Sequence, residues 1–106
     1  TGTGTSDFLR LTDSSENTKF SVEDDGTTNV AGNFLPTADN NSDLGAADKR
    51  WANIYSADLQ LSNEGTEGNE VDGTTGNWTI QEGEDDLYLL NRKNGKKYKF
   101  KLEEVT

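Results

Sequence analysis

The sequence predicts an all-β fold built from short antiparallel strands and hairpins. Apolar and polar residues alternate over short runs, as in Phe20-Ser21-Val22 and Leu59-Gln60-Leu61, and such alternation is typical of strands with one buried face. Clusters of Gly, Asn and Asp separate these runs and indicate tight turns. Near the C-terminus, Asn94-Gly95 lies between two alternating segments, which is a strong signal for a hairpin.

The first part of the chain contains a predicted linker and a meander of strands. Residues 1–6 are small, polar and rich in Gly, which is typical of a linker or of the end of a preceding repeat. Alternation then predicts three strands, at residues 7–12, 19–23 and 27–31. A hairpin turn is expected at Asp24-Asp25-Gly26. We assign these strands to a β-rich segment that extends over residues 7–62.

Residues 46–55 have two interpretations. One is a helix of roughly two to three turns, capped by Asp43, in which Trp51 and Tyr55 share a stripe. The other is a single turn at residues 46–49, followed by an extended segment that leads into the next strand. A helix this short is marginally stable in water, so in either case Trp51 requires a partner surface. We expect neighbouring chains to provide it; stacking of Trp51 on a sugar ring is the alternative.

The second part of the chain is predicted to contain a strand, a long loop and a C-terminal hairpin module. A strand at residues 57–62 precedes residues 63–76, which are rich in Gly, Asn and acidic residues and which we interpret as a loop or crossover. The module at residues 77–106 begins with a strand at residues 77–81 and an acidic turn at residues 82–86. Its hairpin joins two further strands, at residues 87–93 and 96–102.

The Asn94-Gly95 dipeptide also predicts the register of this hairpin. A two-residue type I′ turn predicts that Lys93 faces Lys96, Asn91 faces Tyr98, Leu89 faces Phe100 and Leu87 faces Leu102. Arg92 then lies opposite Lys97, and because like charges at facing positions are unfavourable, an acidic group should lie nearby. We expect this group to come from the turn at residues 82–86, from another chain or from an anionic glycan.

Composition indicates that the chain assembles with copies of itself. Only 29% of the residues are hydrophobic, and the net charge is −10. Ordering costs about 1–2 kcal/mol per residue, which so little apolar surface cannot offset within one chain. The chain has no Cys, so no disulfide supplies the missing stability. A chain with strand patterning but a small core can still fold if identical chains share that core.

Charge and residue types exclude several function classes. Residues 1–86 hold 18 of the 20 acidic residues, which disfavours nucleic-acid binding. No apolar run reaches the ~18 residues of a membrane span, so we predict no membrane insertion. Without His or Cys the usual general base, zinc ligands and thiol nucleophile are missing, and we predict no enzymatic activity.

Residues 39–43 resemble the start of a calcium-binding loop. However, Leu44 occupies the position where that loop requires Gly, and Arg50 occupies the position where it requires Glu. We predict no metal and no cofactor.

One segment resembles a known family. The residues Leu44-Gly45, Arg50-Trp51 and Ile54-Tyr55, followed by Leu59-Gln60-Leu61-Ser62, form a pattern similar to one that recurs in bacteriophage tail-fibre proteins. The resemblance continues more loosely from Phe8 to the C-terminus. It implies an intertwined homotrimeric fibre in the virion tail, outside the cell, with other tail or fibre proteins as partners. Many such fibres carry a C-terminal intramolecular chaperone that is cleaved off.

Two functions are therefore expected, and each has its own residues. The first is that of a structural segment for trimer assembly and host attachment, with an interface formed by Trp51, Ile54, Tyr55, Leu59, Leu61, Trp78 and Phe100. The alternative is a receptor-binding tip that recognises a cell-surface polysaccharide through the loop at residues 63–76 and through Arg92, Lys97, Lys99 and Lys101. The two functions are compatible, because one fibre can perform both.

Overall fold

The computed structural model describes residues 7–106 and contains seven strands and no helix in that range. The strands form two antiparallel sheets, so the all-β prediction is confirmed. The chain divides into two units, one ending at Arg50 and the other extending from Trp51 to Thr106, and each contains one sheet. No helix of the described residues is long and apolar enough to cross a membrane. The linker predicted at residues 1–6 lies outside the described range.

The first sheet contains three strands in sequence order. They are β1 (Asp7–Thr12), β2 (Thr18–Glu23) and β3 (Thr28–Val30). Each agrees with its predicted strand to within one residue at either end. The β2–β3 turn forms at the predicted position, where the Gly26 amide donates to the Glu23 carbonyl at 2.9 Å and the Glu23 amide donates to the Thr27 carbonyl at 2.8 Å.

Register places five apolar residues of the first sheet on one face. This face carries Leu9, Leu11, Phe20, Val22 and Val30. The opposite face is polar and is connected by side-chain hydrogen bonds. On it, the Asn29 side-chain amide donates to Ser21 Oγ at 3.3 Å and to Glu23 Oε2 at 2.8 Å. The alternation seen in the sequence therefore separates two chemically different surfaces.

The second sheet contains four strands, also in sequence order. They are β4 (Leu59–Ser62), β5 (Asn77–Glu82), β6 (Leu87–Asn91) and β7 (Lys97–Lys99). Because β4 pairs antiparallel with β5, the loop at residues 63–76 closes a hairpin. β4 thus shares a sheet with strands of the predicted C-terminal module, whereas the sequence analysis grouped it with residues 7–62.

Residues 46–55 contain a turn and no helix. The Ala46 amide donates to the Lys49 carbonyl and the Lys49 amide donates to the Ala46 carbonyl, both at 3.1 Å. The single-turn interpretation is therefore correct and the helix interpretation is wrong, because a helix of this length has too few internal hydrogen bonds to be stable by itself. Residues 51–55 lie outside any strand, and the chain enters the second sheet only at Leu59.

The predicted register of the last hairpin is wrong by two residues. Leu89 faces Tyr98, and Leu90 faces Lys97. Arg92 lies in the turn, so the expected opposition of Arg92 and Lys97 does not occur. Because side chains alternate with a period of two, a two-residue shift leaves every residue on its predicted face.

Asn91 explains why this turn is wider than predicted. Its Oδ1 atom accepts hydrogen bonds from the backbone amides of Lys93 at 2.9 Å and Asn94 at 3.2 Å. This local side-chain cap stabilises a four-residue turn at residues 92–95. Gly95 has a positive φ of 75°, but Asn94 does not, whereas a type I′ turn requires positive φ at both central residues.

No apolar side chain among residues 7–106 is buried. The two buried residues are polar: Ser21 is 5% exposed and Thr79 is 0% exposed. A sheet with one apolar face requires a second layer to cover that face. Within residues 7–106, no buried apolar layer covers the apolar face of either sheet.

Candidate assembly surface

One face of the second sheet is formed mainly by large apolar residues. Cross-strand register places them in three rows, and the Phe100 amide, which donates to the Leu87 carbonyl at 2.9 Å, extends the register beyond β7. The rows are Leu59, Ile80, Leu89 and Tyr98; then Leu61 and Trp78; then Leu87 and Phe100. We call these eight residues the apolar face.

Five of the eight residues of the apolar face are exposed to solvent, whereas Trp78, Ile80 and Leu89 are half-buried. Leu59 is 51% exposed, Leu61 46% and Phe100 37%. Within the face, the rings of Trp78 and Tyr98 have centroids 5.9 Å apart and planes inclined by 40°, a geometry in which aromatic rings attract each other. The side chains are therefore packed laterally, while the surface above them is open.

The predicted interface residues fall into two groups. Four of them lie on the apolar face: Leu59, Leu61, Trp78 and Phe100. Trp51, Ile54 and Tyr55 instead lie in the segment that precedes β4, where they are 62%, 74% and 94% exposed. No backbone–backbone hydrogen bond joins residues 50–58 to any other described residue.

The register adds residues that the sequence analysis did not assign to an interface. Ile80, Leu89 and Tyr98 complete the row that begins at Leu59 and crosses all four strands. Ile80 and Tyr98 have polar or charged neighbours on both sides, and Leu89 lies between Tyr88 and Leu90. The alternation in the sequence could therefore have assigned these residues to the apolar face. The pairing that collects them into one row required the correct hairpin register.

The opposite, polar face is connected through Thr79. The Thr79 hydroxyl donates to Gln60 Oε1 at 2.6 Å and accepts a hydrogen bond from Arg92 Nε at 2.9 Å. The Arg92 backbone amide also donates to the Asn77 carbonyl at 2.8 Å. Arg92, a predicted receptor contact, thus connects the last turn to β5.

Two of the other predicted receptor contacts border a cleft on the polar face. The cleft has a volume of about 420 Å³ and is lined by Gln81, Tyr88, Leu90, Lys97, Tyr98 and Lys99. Lys101 lies beyond β7 and does not line it. The ion pairs found among residues 7–106 are Lys19 with Asp13 at 3.4 Å and Lys49 with Asp48 at 3.8 Å. Within that range the hairpin lysines therefore have no acidic partner, and the one expected from the turn at residues 82–86 is not formed.

The loop at residues 63–76 is held together by its own hydrogen bonds. Asn63 Oδ1 accepts from the Gly76 amide at 2.7 Å, and Asn69 Oδ1 accepts from the Val71 amide at 2.8 Å. Asp72 Oδ1 accepts from the hydroxyl of Thr74 at 2.8 Å, and this bond, aided by the Thr74 amide and the Asn69 side chain, lowers the pKa of Asp72. These polar groups are engaged within the loop.

A second cleft lies between this loop and the apolar face. Its volume is about 370 Å³, and it is lined by Leu61, Ser62, Asn63, Asn69, Thr74, Thr75, Gly76 and Trp78. Since Asn63 and Asn69 already form hydrogen bonds inside the loop, the cleft presents Trp78 and Leu61 more than free polar groups. It extends the apolar face toward the loop.

Comparison with known proteins gives no assignment. No protein-family model, curated protein or solved structure matches this chain.

Proposed function

We propose that this chain is a structural segment of a homotrimeric fibre, of the kind found in bacteriophage tails, in which copies bury their apolar faces against one another. The observation that supports this proposal is the apolar face itself, together with the lack of any buried apolar side chain among residues 7–106. Burying one Leu or Phe side chain contributes about 1.5–3 kcal/mol. Five of the eight residues of the apolar face are exposed in one copy, so their burial between copies provides a large driving force for association.

The trimeric and viral parts of the proposal rest on the sequence resemblance. The pattern that includes Leu44-Gly45, Arg50-Trp51 and Ile54-Tyr55 is similar to one in tail fibres. A fibre segment acts in the virion tail, outside the cell, and its partners are identical copies and other tail or fibre proteins. Its role in host attachment is mechanical and requires no catalytic residue.

The oligomeric state of the whole 106-residue chain tests this proposal. We expect sedimentation equilibrium to give three times the monomer mass of 11.6 kDa. A folded monomer at micromolar concentration would contradict the proposal, because it would need no partner to stabilise its sheets.

Two neighbouring substitutions in β7 test whether the apolar face is the interface. Tyr98 lies on this face and Lys97 on the opposite one. Tyr98→Glu should prevent assembly, because it would bury an unpaired charge between copies. Lys97→Glu is the matched control and should assemble normally. Equal assembly of both variants would show that the interface lies elsewhere.

The basic cleft favours a second function, binding of an anionic cell-surface polysaccharide. Lys97 and Lys99 have no ion-pair partner among residues 7–106, and they line the cleft together with Tyr88. Ammonium groups form strong charge-assisted hydrogen bonds with carboxylates and phosphates. Arg92 is a weaker contact for this purpose, since its Nε is bonded to Thr79.

Binding to immobilised polysaccharides tests the second function. A Lys97→Ala/Lys99→Ala variant should lose binding while it keeps its oligomeric state. The control is Lys19→Ala/Lys49→Ala, which removes the same charge from the first unit. If both variants bind as well as the unmodified chain, the cleft is not a receptor site.

A further inference from the structure

We propose that Asn94 is a site of spontaneous deamidation, and that the folded β6–β7 turn restrains this reaction until the turn opens. The inference does not depend on the proposed assembly. It starts from Asn94-Gly95, the only Asn-Gly dipeptide in the sequence. Because glycine has no Cβ atom, the backbone nitrogen of Gly95 approaches the Asn94 side chain with less hindrance than the nitrogen of any larger residue.

The reaction at Asn94 needs no reagent other than water. The Gly95 backbone nitrogen attacks Asn94 Cγ and loses its proton, the bond between Cγ and Nδ2 breaks, and Nδ2 leaves as ammonia. Water then opens the resulting five-membered imide at one of its two carbonyl groups. The products are aspartate and isoaspartate at position 94, and both carry a negative charge that Asn94 lacks. In isoaspartate the main chain passes through Cγ and is one methylene longer.

The Asn94-Gly95 dipeptide is open to water but is held by hydrogen bonds. Both residues are exposed. The Gly95 amide donates to the Asn91 carbonyl at 2.9 Å, and Asn94 Oδ1 accepts from the Lys96 amide at 2.9 Å. Imide formation removes the Gly95 proton that forms the first bond and draws the Asn94 side chain, which the second bond holds, onto the backbone. The folded turn therefore slows the reaction.

The Asp72-Gly73 dipeptide is held in the same way, but its charge protects it further. The Gly73 amide donates to the Asn69 carbonyl at 3.0 Å, and Asp72 Oδ1 accepts from the Thr74 amide at 3.1 Å. Hydrogen bonds, mainly from the Thr74 hydroxyl, keep the pKa of Asp72 below its usual value, so this side chain is a carboxylate at neutral pH. A carboxylate resists attack by an amide nitrogen because its oxygen is a poor leaving group. The neutral Asn94 amide has no such protection.

Deamidation changes the charge and the pairing of the last hairpin. Residues 87–106 carry six basic and two acidic residues, so one new carboxylate lowers their net charge from +4 to +3. Aspartate preserves the turn, because its carboxylate still accepts the Lys96 amide. Isoaspartate lengthens the main chain between Asn91 and Lys96, where the Asn91 amide donates to the Lys96 carbonyl at 2.9 Å. This product therefore disturbs the pairing of β6 with β7.

Incubation of the whole chain near neutral pH, either folded or unfolded in urea, tests the inference. Peptide mass spectrometry detects the replacement of the Asn94 amide by a carboxyl group, and chromatography separates aspartate from isoaspartate. In the unfolded chain we expect Asn94 to react faster than every other asparagine. In the folded chain its reaction should be slower by about tenfold or more, because it then waits for local opening of the turn.

Two asparagine substitutions test whether this turn provides the restraint. Asn91→Ala removes the side-chain oxygen that accepts the Lys93 and Asn94 amides, and it leaves the Asn94-Gly95 dipeptide unchanged. It should accelerate deamidation of Asn94 in the folded chain several-fold. Asn29→Ala is the matched control, because it removes side-chain hydrogen bonds from the first sheet only. It should leave the rate at Asn94 unchanged.

Three outcomes would overturn the inference. If Asn94 does not react in urea, or if another asparagine reacts faster there, Asn94 is not the site. If Asn94 reacts equally fast in the folded and unfolded chains, folding does not restrain it. If Asn91→Ala and Asn29→Ala react at the same rate, the restraint does not come from this turn. Should Asn91→Ala fail to fold, the comparison of the folded and unfolded unmodified chain still decides the question.

Discussion

Thr79 is fully buried although it lies on the polar face of its sheet. Its hydroxyl bridges Gln60 Oε1 and Arg92 Nε, so it connects β4 and the last turn through β5. Thr79→Val keeps the shape of the side chain and removes both hydrogen bonds. We expect a loss of about 1–2 kcal/mol in the free energy of unfolding, measured by urea denaturation.

An exposed threonine provides the control for this substitution. Thr37 lies outside every strand, and its hydroxyl makes no side-chain hydrogen bond within residues 7–106. Thr37→Val should change the free energy of unfolding by less than about 0.5 kcal/mol. Equal effects of the two substitutions would show that the Thr79 bridge does not contribute to stability.

Three aspartates give the stability of the turns a defined pH dependence. Hydrogen bonds lower the pKa of Asp13, mainly from the Asn17 amide, of Asp25, mainly from the Thr27 amide, and of Asp72, mainly from the Thr74 hydroxyl. A carboxyl group with a lowered pKa in the folded state stabilises that state when ionised. This contribution is fully present above the unfolded pKa of about 3.9 and is lost as the pH falls through the lower, folded value.

Acid titration of Asp72→Asn tests this dependence. We expect the unmodified chain to be more stable than the variant near neutral pH, because the variant has no carboxylate to accept the Thr74 bonds. The difference between them should shrink as the pH falls below about 4, since protonation removes the same charge from Asp72. A difference that stays constant down to strongly acidic pH would mean that the Asp72 carboxylate does not couple to folding.

At the scale of elements, the β6–β7 turn depends on Gly95. Its φ of 75° lies in the left-handed region, where a residue with a Cβ atom is strained by roughly 1–2 kcal/mol. Gly95→Ala should therefore lower the free energy of unfolding by about that amount, measured by urea denaturation. Gly32→Ala is the control, because a Cβ at Gly32 meets no atom within 4 Å and no left-handed φ is involved.

The same turn illustrates what the sequence could predict about the elements. The strands follow from alternation, and their faces were predicted correctly. The hairpin register was not, because the Asn94-Gly95 signal favours a two-residue turn while the Asn91 side chain stabilises a four-residue one. The free energies of these two turns differ too little for a sequence pattern to show which one forms. The interface candidates at Leu59, Leu61 and Trp78 did not depend on this register, whereas the row that reaches Tyr98 did.

At the scale of the whole molecule, assembly should make thermal stability depend on concentration. If folding and association are coupled, mass action favours the folded state as the chain is concentrated. For a trimer, a tenfold rise in concentration adds about 1 kcal/mol per chain, so the melting temperature should increase by roughly 4–8 °C. Differential scanning calorimetry over a range of concentrations measures this. A melting temperature that does not change with concentration would indicate that each copy folds by itself.

At the same scale, the sequence predicted the lack of a buried core but not the arrangement of the copies. Low hydrophobic content and an excess of acidic residues indicated that one copy has too little core, and the exposure of Leu59, Trp51 and Phe100 agrees with that expectation. A single sequence gives the chemistry of a surface but not the identity of what covers it. For this reason the apolar face could be anticipated, while the number of copies and their arrangement could not be calculated from the residues.

The placement of Thr79 and Ser21 in the interior and of the large apolar residues outside has a consequence for how this protein is produced. If copies assemble through these residues as we propose, a newly synthesised copy exposes apolar side chains until it meets other copies, and non-specific aggregation competes with assembly during that interval. In that case, slow synthesis from neighbouring ribosomes on one messenger should yield more assembled protein than rapid, dispersed synthesis.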